Sequence, residues 1–255
     1  MASRATIIAG NWKMNHGPKA ARAFFAEFAT LHRPRDDRRI LFFPSAISIA
    51  AALEATAGRA DLEIGIQNIH WQLSGAFTGE TSAGMAAGAG VRVALAGHSE
   101  RRHLFAETDE QVGWKATAAV GAGMDVIICV GETLDERKAG QLDAVLGRQV
   151  SAALATLPPE SADRMAFAYE PVWAIGTGVN ATPDDAATAH AIVRELLASH
   201  LGRATADACP ILYGGSVNAG NAEDLLAADH VDGVLVGGAS LKPASFAAIA
   251  GVRTG

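Results

Sequence analysis

Eight short apolar runs punctuate the chain, at 6–9, 40–43, 62–66, 91–96, 126–130, 165–169, 211–213 and 234–236. Each is brief, rich in β-branched or aromatic residues and bounded by Gly, Pro or polar positions, which predicts a strand. Their apolarity is nearly continuous rather than alternating, so the strands should be parallel and buried on both faces. The stretches between them are long enough for one helical crossover each. Over 20–31, Phe24, Phe28 and Leu31 fall on one helical face. Thr182-Pro183-Asp184-Asp185 supplies an N-cap, a first-turn proline and early acids ahead of a helix over 186–200. Helices are also predicted over 136–157 and 218–228, with a short one at 99–102.

Eight strands alternating with helices define an α/β protein, and the arrangement that fits is a single (β/α)8 barrel of parallel strands occupying residues 1–255 as one domain. An open doubly wound sheet is the competing architecture, and it predicts a glycine fingerprint after the first strand. The first strand runs instead into Gly10-Asn11-Trp12-Lys13-Met14-Asn15, without GxGxxG, and GxxxxGK[ST] occurs nowhere.

Composition narrows the function classes. Hydrophobic residues make up 49% of the chain, but 54 of them are alanine, which favours helices packed closely on a sheet over membrane character. The longest broadly apolar stretch, 40–53, is interrupted by Pro44 and falls short of the ~20 residues of a spanning helix. No membrane association is expected. The amino terminus reads as a first strand and not as a signal peptide, so the cytoplasm is the expected compartment. Cys129 and Cys209 lie far apart in no metal-ligand spacing, so neither a disulfide nor a metal site is expected. A net charge of −6 without a Lys/Arg block argues against nucleic acid as a partner.

In a parallel barrel, the loops after the carboxyl ends of the strands build the active site. The polar residues there are few: Asn11 and Lys13 after strand 1, His98-Ser99-Glu100 after strand 4, Glu170-Pro171 after strand 6, Gly214-Gly215-Ser216 after strand 7 and Gly237-Gly238 after strand 8. They bring a cation, a proton donor and a base to one rim. The paired glycines with Ser216 suit a phosphate cradle, with a helix N-terminus expected after Gly237. Glu170 ends an apolar strand, so its basicity should depend on how dry the site becomes. Val172-Trp173-Ala174-Ile175-Gly176-Thr177-Gly178 has an apolar tip beside two glycines, as a lid does. His98 precedes a short helix whose amino end disfavours an imidazolium and favours a neutral donor. Trp12 and Met14 suggest partial burial of Lys13. No GxSxG elbow surrounds Ser99. A Lys13 Schiff base, as in phosphosugar aldolases, stays open as an alternative chemistry, and so does a barrel that binds without catalysis.

The segments Asn11-Trp12-Lys13-Met14-Asn15, Gly75-Ala76-Phe77-Thr78-Gly79-Glu80, Gly97-His98-Ser99-Glu100-Arg101-Arg102, 168–178, Tyr213-Gly214-Gly215-Ser216-Val217 and Val236-Gly237-Gly238-Ala239-Ser240 occur in an order that resembles the triosephosphate isomerases along nearly the whole chain. The resemblance implies interconversion of dihydroxyacetone phosphate and glyceraldehyde 3-phosphate through an enediol, without metal or organic cofactor. Glu170 is implied as the base, His98 as the proton donor to the oxygens, Lys13 with Asn11 as the stabiliser of negative charge and Glu100 as the orienting residue; these roles are the standard description of this enzyme. Gly176, Ser216, Gly237 and Gly238 are implied as the phosphate site, under a lid that keeps the intermediate from losing phosphate. The 67–80 segment resembles the loop that reaches into a second subunit, placing Thr78 near the partner's Asn11 and Lys13, so a homodimer is implied. Ala106 stands where the family more often has Gly, and Val179-Asn180 where Lys-Thr is common. Relatives acting on other short ketose phosphates, such as a tetrulose phosphate, share much of the pattern.

Overall fold

A computed structural model describes residues 4, 6–174 and 181–252. Eight strands close into a barrel in chain order: β1 (Thr6–Asn11), β2 (Arg38–Phe43), β3 (Leu62–Ile66), β4 (Val93–Ala96), β5 (Asp125–Val130), β6 (Met165–Tyr169), β7 (Ile211–Tyr213) and β8 (Gly233–Val236). Every neighbouring pair is parallel, and β8 returns to β1 through Ile7 to Gly10. The continuous apolarity of the strands now has its cause. Ile7, Ala9, Leu41, Phe43, Val93, Leu95, Ile127, Cys129, Ala166, Ala168, Leu212 and Leu235 fill the barrel interior as one cluster. Their neighbours in sequence, among them Ile8, Phe42, Ile128 and Phe167, face the surrounding helices in a second cluster. Both faces of each strand are thus dry.

The helices are α1 (Pro18–Leu31), α2 (Ile49–Ala55), α3 (Ala83–Gly88), α4 (Ser99–Leu104), α5 (Asp109–Gly121), α6 (Leu134–Lys138), α7 (Leu142–Leu154), α8 (Pro183–Leu201), α9 (Arg203–Ala208), α10 (Ala222–Ala227) and α11 (Pro243–Ala250). Alanines account for much of the helix surface turned to the barrel: Ala21, Ala52, Ala116, Ala119, Ala153, Ala186 and Ala189 are fully buried. A methyl at each point lets helix and sheet approach closely.

Some elements differ from the pattern-based expectation. The helix predicted over 136–157 is two, α6 and α7, because Gly140 takes φ +68° between them. The one predicted over 218–228 begins at Ala222, since Asn218 Oδ1 accepts from Gly220 N at 2.8 Å and Asn221 Oδ1 from Asn218 N at 2.8 Å, holding a turn instead. In α1 Phe24 and Phe28 are buried as expected, but Leu31, the last residue of the helix, is exposed and Phe25 is buried in its place. These phenylalanines pack around Trp12 and Phe42, with Trp12–Phe24 centroids 4.8 Å apart and Phe25–Phe42 4.9 Å apart. The cluster anchors the exit of β1 and, with it, Lys13.

Candidate active site

Lys13 follows the immobilised Trp12, and its backbone sits in the left-handed region at φ +51°, a conformation costing about 1 kcal/mol for a residue with a Cβ. Neighbours hold it there: Asn11 Oδ1 accepts from Lys13 N at 3.0 Å, and Gln67 Nε2 donates to the carbonyls of both Lys13 and Phe43 at 2.8 Å. Gln67 has no signal in the sequence, because nothing in its type announces that its amide spans two strand ends. Of the residues flanking Lys13, Trp12 is buried as expected, whereas Met14 points into solvent. The Lys13 Nζ reaches Glu100 Oε1 at 2.7 Å.

His98 leaves β4 and caps α4, its Nδ1 accepting the Glu100 N–H at 3.2 Å. That bond places the ring proton on Nε2, which faces Glu170 Oε1 at 3.0 Å. Burial opposes charge on His98, and the nearby Glu170 carboxylate outweighs it and raises the imidazole pKa. The helix N–H at Nδ1 acts the other way, because a second ring proton has to break that bond. A neutral Nε2–H donor is the form these hydrogen bonds describe.

Glu170 is buried at the end of β6. Burial alone would raise its pKa, but His98, the Ser99 N–H at 2.7 Å and the more distant Lys13 bring it below the usual carboxylate value. The carboxylate is therefore ionised in a dry setting. Its placement depends on two glycines: a Cβ on Gly131 would lie 1.8 Å from the Glu170 carbonyl oxygen, and one on Gly214 would lie 2.8 Å from Glu170 Cγ. Gly131 and Ser99 act on Glu170 through backbone alone, a role that neither side chain signals.

A cavity of about 370 Å³ brings together Asn11, Lys13, His98 and Glu170 with Ser216, Gly237 and Gly238. The glycine pairs differ in cause. Gly215 is required by packing, since a Cβ there would meet Tyr213 Oη at 2.2 Å, whereas Gly238 has open space around it and Gly237 only an ordinary 3.6 Å contact with Lys13 Cε. Packing explains the glycine of strand 7; at strand 8 the missing side chains leave room in the cavity. The expected helix after Gly237 is a single 3₁₀ turn, Gly238–Leu241. Glu100 lies outside this cavity and lines an adjoining one of about 220 Å³ across Lys13. Thr78 is exposed on the loop after β3. Gly176, Val179-Asn180 and the second half of the lid expected at 172–178 lie outside the described residues. Among the described residues, no cluster of His, Cys, Asp or Glu is arranged to hold a metal ion, and no helix is long and apolar enough to cross a membrane.

A closed barrel whose carboxyl rim joins a buried carboxylate, an imidazole N–H facing it and a lysine in one cavity fits a proton-transfer enzyme such as an aldose–ketose isomerase. Sequence comparison identifies the family within that class. The family profile described as triosephosphate isomerase matches residues 6–253. Similar curated proteins, each called triosephosphate isomerase, come from Solibacter usitatus (44% identity, covering 96% of this chain and 98% of the relative), Symbiobacterium thermophilum (46%, covering 96% of each) and Carboxydothermus hydrogenoformans (45%, covering 96% and 98%). The chain belongs to the triosephosphate isomerase family.

Proposed function

We propose that the protein interconverts dihydroxyacetone phosphate and D-glyceraldehyde 3-phosphate, with Glu170 as the base. The observation that supports this reading most strongly is the 3.0 Å contact between His98 Nε2 and Glu170 Oε1 inside a cavity also lined by Lys13. His98 Nε2 and the Ser99 N–H both bind the carboxylate. A substrate carbonyl that accepts a hydrogen bond from His98 Nε2 displaces Glu170 from that contact and turns it towards the neighbouring carbon. Glu170 then takes a proton from this carbon, the electron pair moves onto the carbonyl oxygen, and the enediolate forms beside Lys13 and the His98 donor. His98 gives a proton to the former carbonyl oxygen and recovers one from the neighbouring hydroxyl, and return of the carbon proton by Glu170 to the adjacent carbon leaves the new carbonyl. Ser216, Gly237 and Gly238 hold the phosphate, joined by Gly176 of the 172–178 lid. Glu100 orients Lys13 through their 2.7 Å ion pair. A coupled assay comparing triose with tetrulose phosphates tests both reaction and substrate. Preference for the tetrulose contradicts the substrate, and absence of turnover contradicts the reaction.

The working unit is a homodimer in which Thr78 lies near the partner's Asn11 and Lys13. Met14, Ile47, Leu73, Phe77, Met85 and Phe105 are exposed apolar residues on the loops and helices that come after β1 to β4, and this concentration of exposed apolar surface supports an assembly that covers it. Sedimentation should give twice the chain mass, whereas a monomer at micromolar concentration contradicts it. The cytoplasm is the compartment this reading assigns. Its two thiols are free and buried, and burial pushes Cys209 up to about 12 and Cys129 well above its ordinary value, so neither is a reactive thiolate.

A further inference from the structure

Arg137, in α6, lies away from the cavity yet meets both sides of the connection that leaves Glu170. On one side, Glu132 is fully buried after β5, and its Oε1 accepts from Tyr169 Oη at 3.0 Å, from Trp173 Nε1 at 2.7 Å and from Arg137 Nη1 at 3.4 Å. Tyr169 immediately precedes Glu170. The Glu132 carbonyl also accepts from Val172 N at 3.1 Å, so residues 169–173 are laid along this one acidic residue. The guanidinium of Arg137 covers the Trp173 ring, its Cζ 5.2 Å from the ring centre. On the other side, Arg137 Nη2 donates to Asp185 Oδ1. Asp185 is the N3 acid of the capping box that opens α8: its Oδ2 accepts from Thr182 N at 3.0 Å and Thr182 Oγ1 at 2.8 Å. One guanidinium thus joins the exit from Glu170 to the start of α8, while the chain between them runs through 175–180.

We propose that Arg137 is a positioning residue for the isomerisation, fixing the two ends of the 171–182 connection relative to each other and to Glu132. Arg suits this double attachment because its planar fork reaches two carboxylates at once and its face stacks on the indole, neither of which Lys reproduces. Glu132 Oε2 is buried without a partner, so Arg137 is the cation that compensates this carboxylate. Loss of Arg137 uncovers one face of the Trp173 ring and removes the cation beside Glu132 on one side, and on the other it unties the α8 cap from them. Glu170, held between Tyr169 and Pro171, loses a constraint on its placement, and displacements at the ångström scale cost catalysis rather than binding. The proposal rests on the assignment of Glu170 as the base.

The test compares Arg137→Ala, Arg137→Lys, Asp185→Asn and the Arg137→Ala/Asp185→Asn double variant. Asp185→Asn keeps a side-chain oxygen for the Thr182 cap. Readouts are kcat and KM for glyceraldehyde 3-phosphate and the inorganic phosphate released per turnover, since an enediolate that escapes protonation breaks its C–O bond and expels phosphate, leaving methylglyoxal. Arg137→Ala and Asp185→Asn should each lower kcat on the order of tenfold, the scale of one charge-assisted contact, with KM changed less than twofold. Phosphate release should rise, Arg137→Lys should fall between parent and Ala, and the double variant should be no worse than the poorer single. Parent-like kcat and phosphate release in Asp185→Asn, or multiplicative losses in the double, overturn the tie, including when Arg137→Ala does not fold. A folded Glu170→Ala that retains turnover instead removes the base assignment, a separate failure from wild-type behaviour in Asp185→Asn.

Discussion

Gly214→Ala tests how closely the barrel holds Glu170, the proposed base. Nothing reacts at Gly214, and its φ lies outside the left-handed region, so alanine fits its backbone conformation. The added Cβ would nevertheless lie 2.8 Å from Glu170 Cγ, against about 3.5–4.0 Å for a relaxed carbon–carbon contact. The Tyr169 carbonyl at 3.2 Å and Glu170 Cα at 3.7 Å stand on the same side, so the methyl has little room to retreat. Glu170 must yield by roughly 1 Å, and a misplacement of that size costs about 100-fold in rate, equivalent to ~2.7 kcal/mol of transition-state stabilisation. The overpacking itself should cost about 1–3 kcal/mol of stability. Initial rates with glyceraldehyde 3-phosphate over a range of concentrations, beside circular dichroism and a thermal melt, separate these effects. The expected result is a folded variant with kcat down about 100-fold and KM nearly unchanged. A folded variant with kcat within threefold of the parent refutes the reasoning.

Other consequences concern stability and its pH dependence. His190 in α8 has its pKa held down to about 4 by burial, so between 6.5 and 4 the unfolded chain takes up a proton that the folded chain refuses. Its contribution is intact above the ordinary imidazole value and is lost as pH falls, by about 3 kcal/mol at the lower limit; His190→Leu should flatten that part of the urea-midpoint profile, and an unchanged slope contradicts it. Ala106 adopts φ +54° where the family more often carries Gly. Ala106→Gly removes about 1–2 kcal/mol of left-handed strain and adds about 0.5–1 kcal/mol of chain entropy loss, so a net gain near 0.5 kcal/mol is expected in urea unfolding, and a net loss of that size is the contrary result.

The eight strands are legible because a parallel barrel dries both faces of every strand and leaves an unbroken apolar signature in the sequence. Strand 3 and strands 6 and 7 keep their expected limits, while β4 starts at Val93 rather than at 91. The helices are less legible. Those rich in alanine, such as α2, α3 and α9, carry little amphipathic contrast, and the turn at Gly140 is hidden inside a helix-compatible stretch. At the site, side chains with recognisable chemistry stand out at strand ends. The elements that aim them do not: Gln67 bridging two carbonyls, Ser99 contributing only its N–H, and Gly131 making space are ordinary residues whose roles arise from folding. Arg137 and Asp185 are 48 positions apart, and no local pattern links them.

The turnover of Glu170→Ala measures most directly whether Glu170 carries the proton between neighbouring carbons, as proposed. Removal of a positioned general base should lower kcat by about 10²–10⁴-fold in a protein whose melting temperature and circular dichroism match the parent. Turnover within tenfold of the parent in such a folded variant contradicts the account.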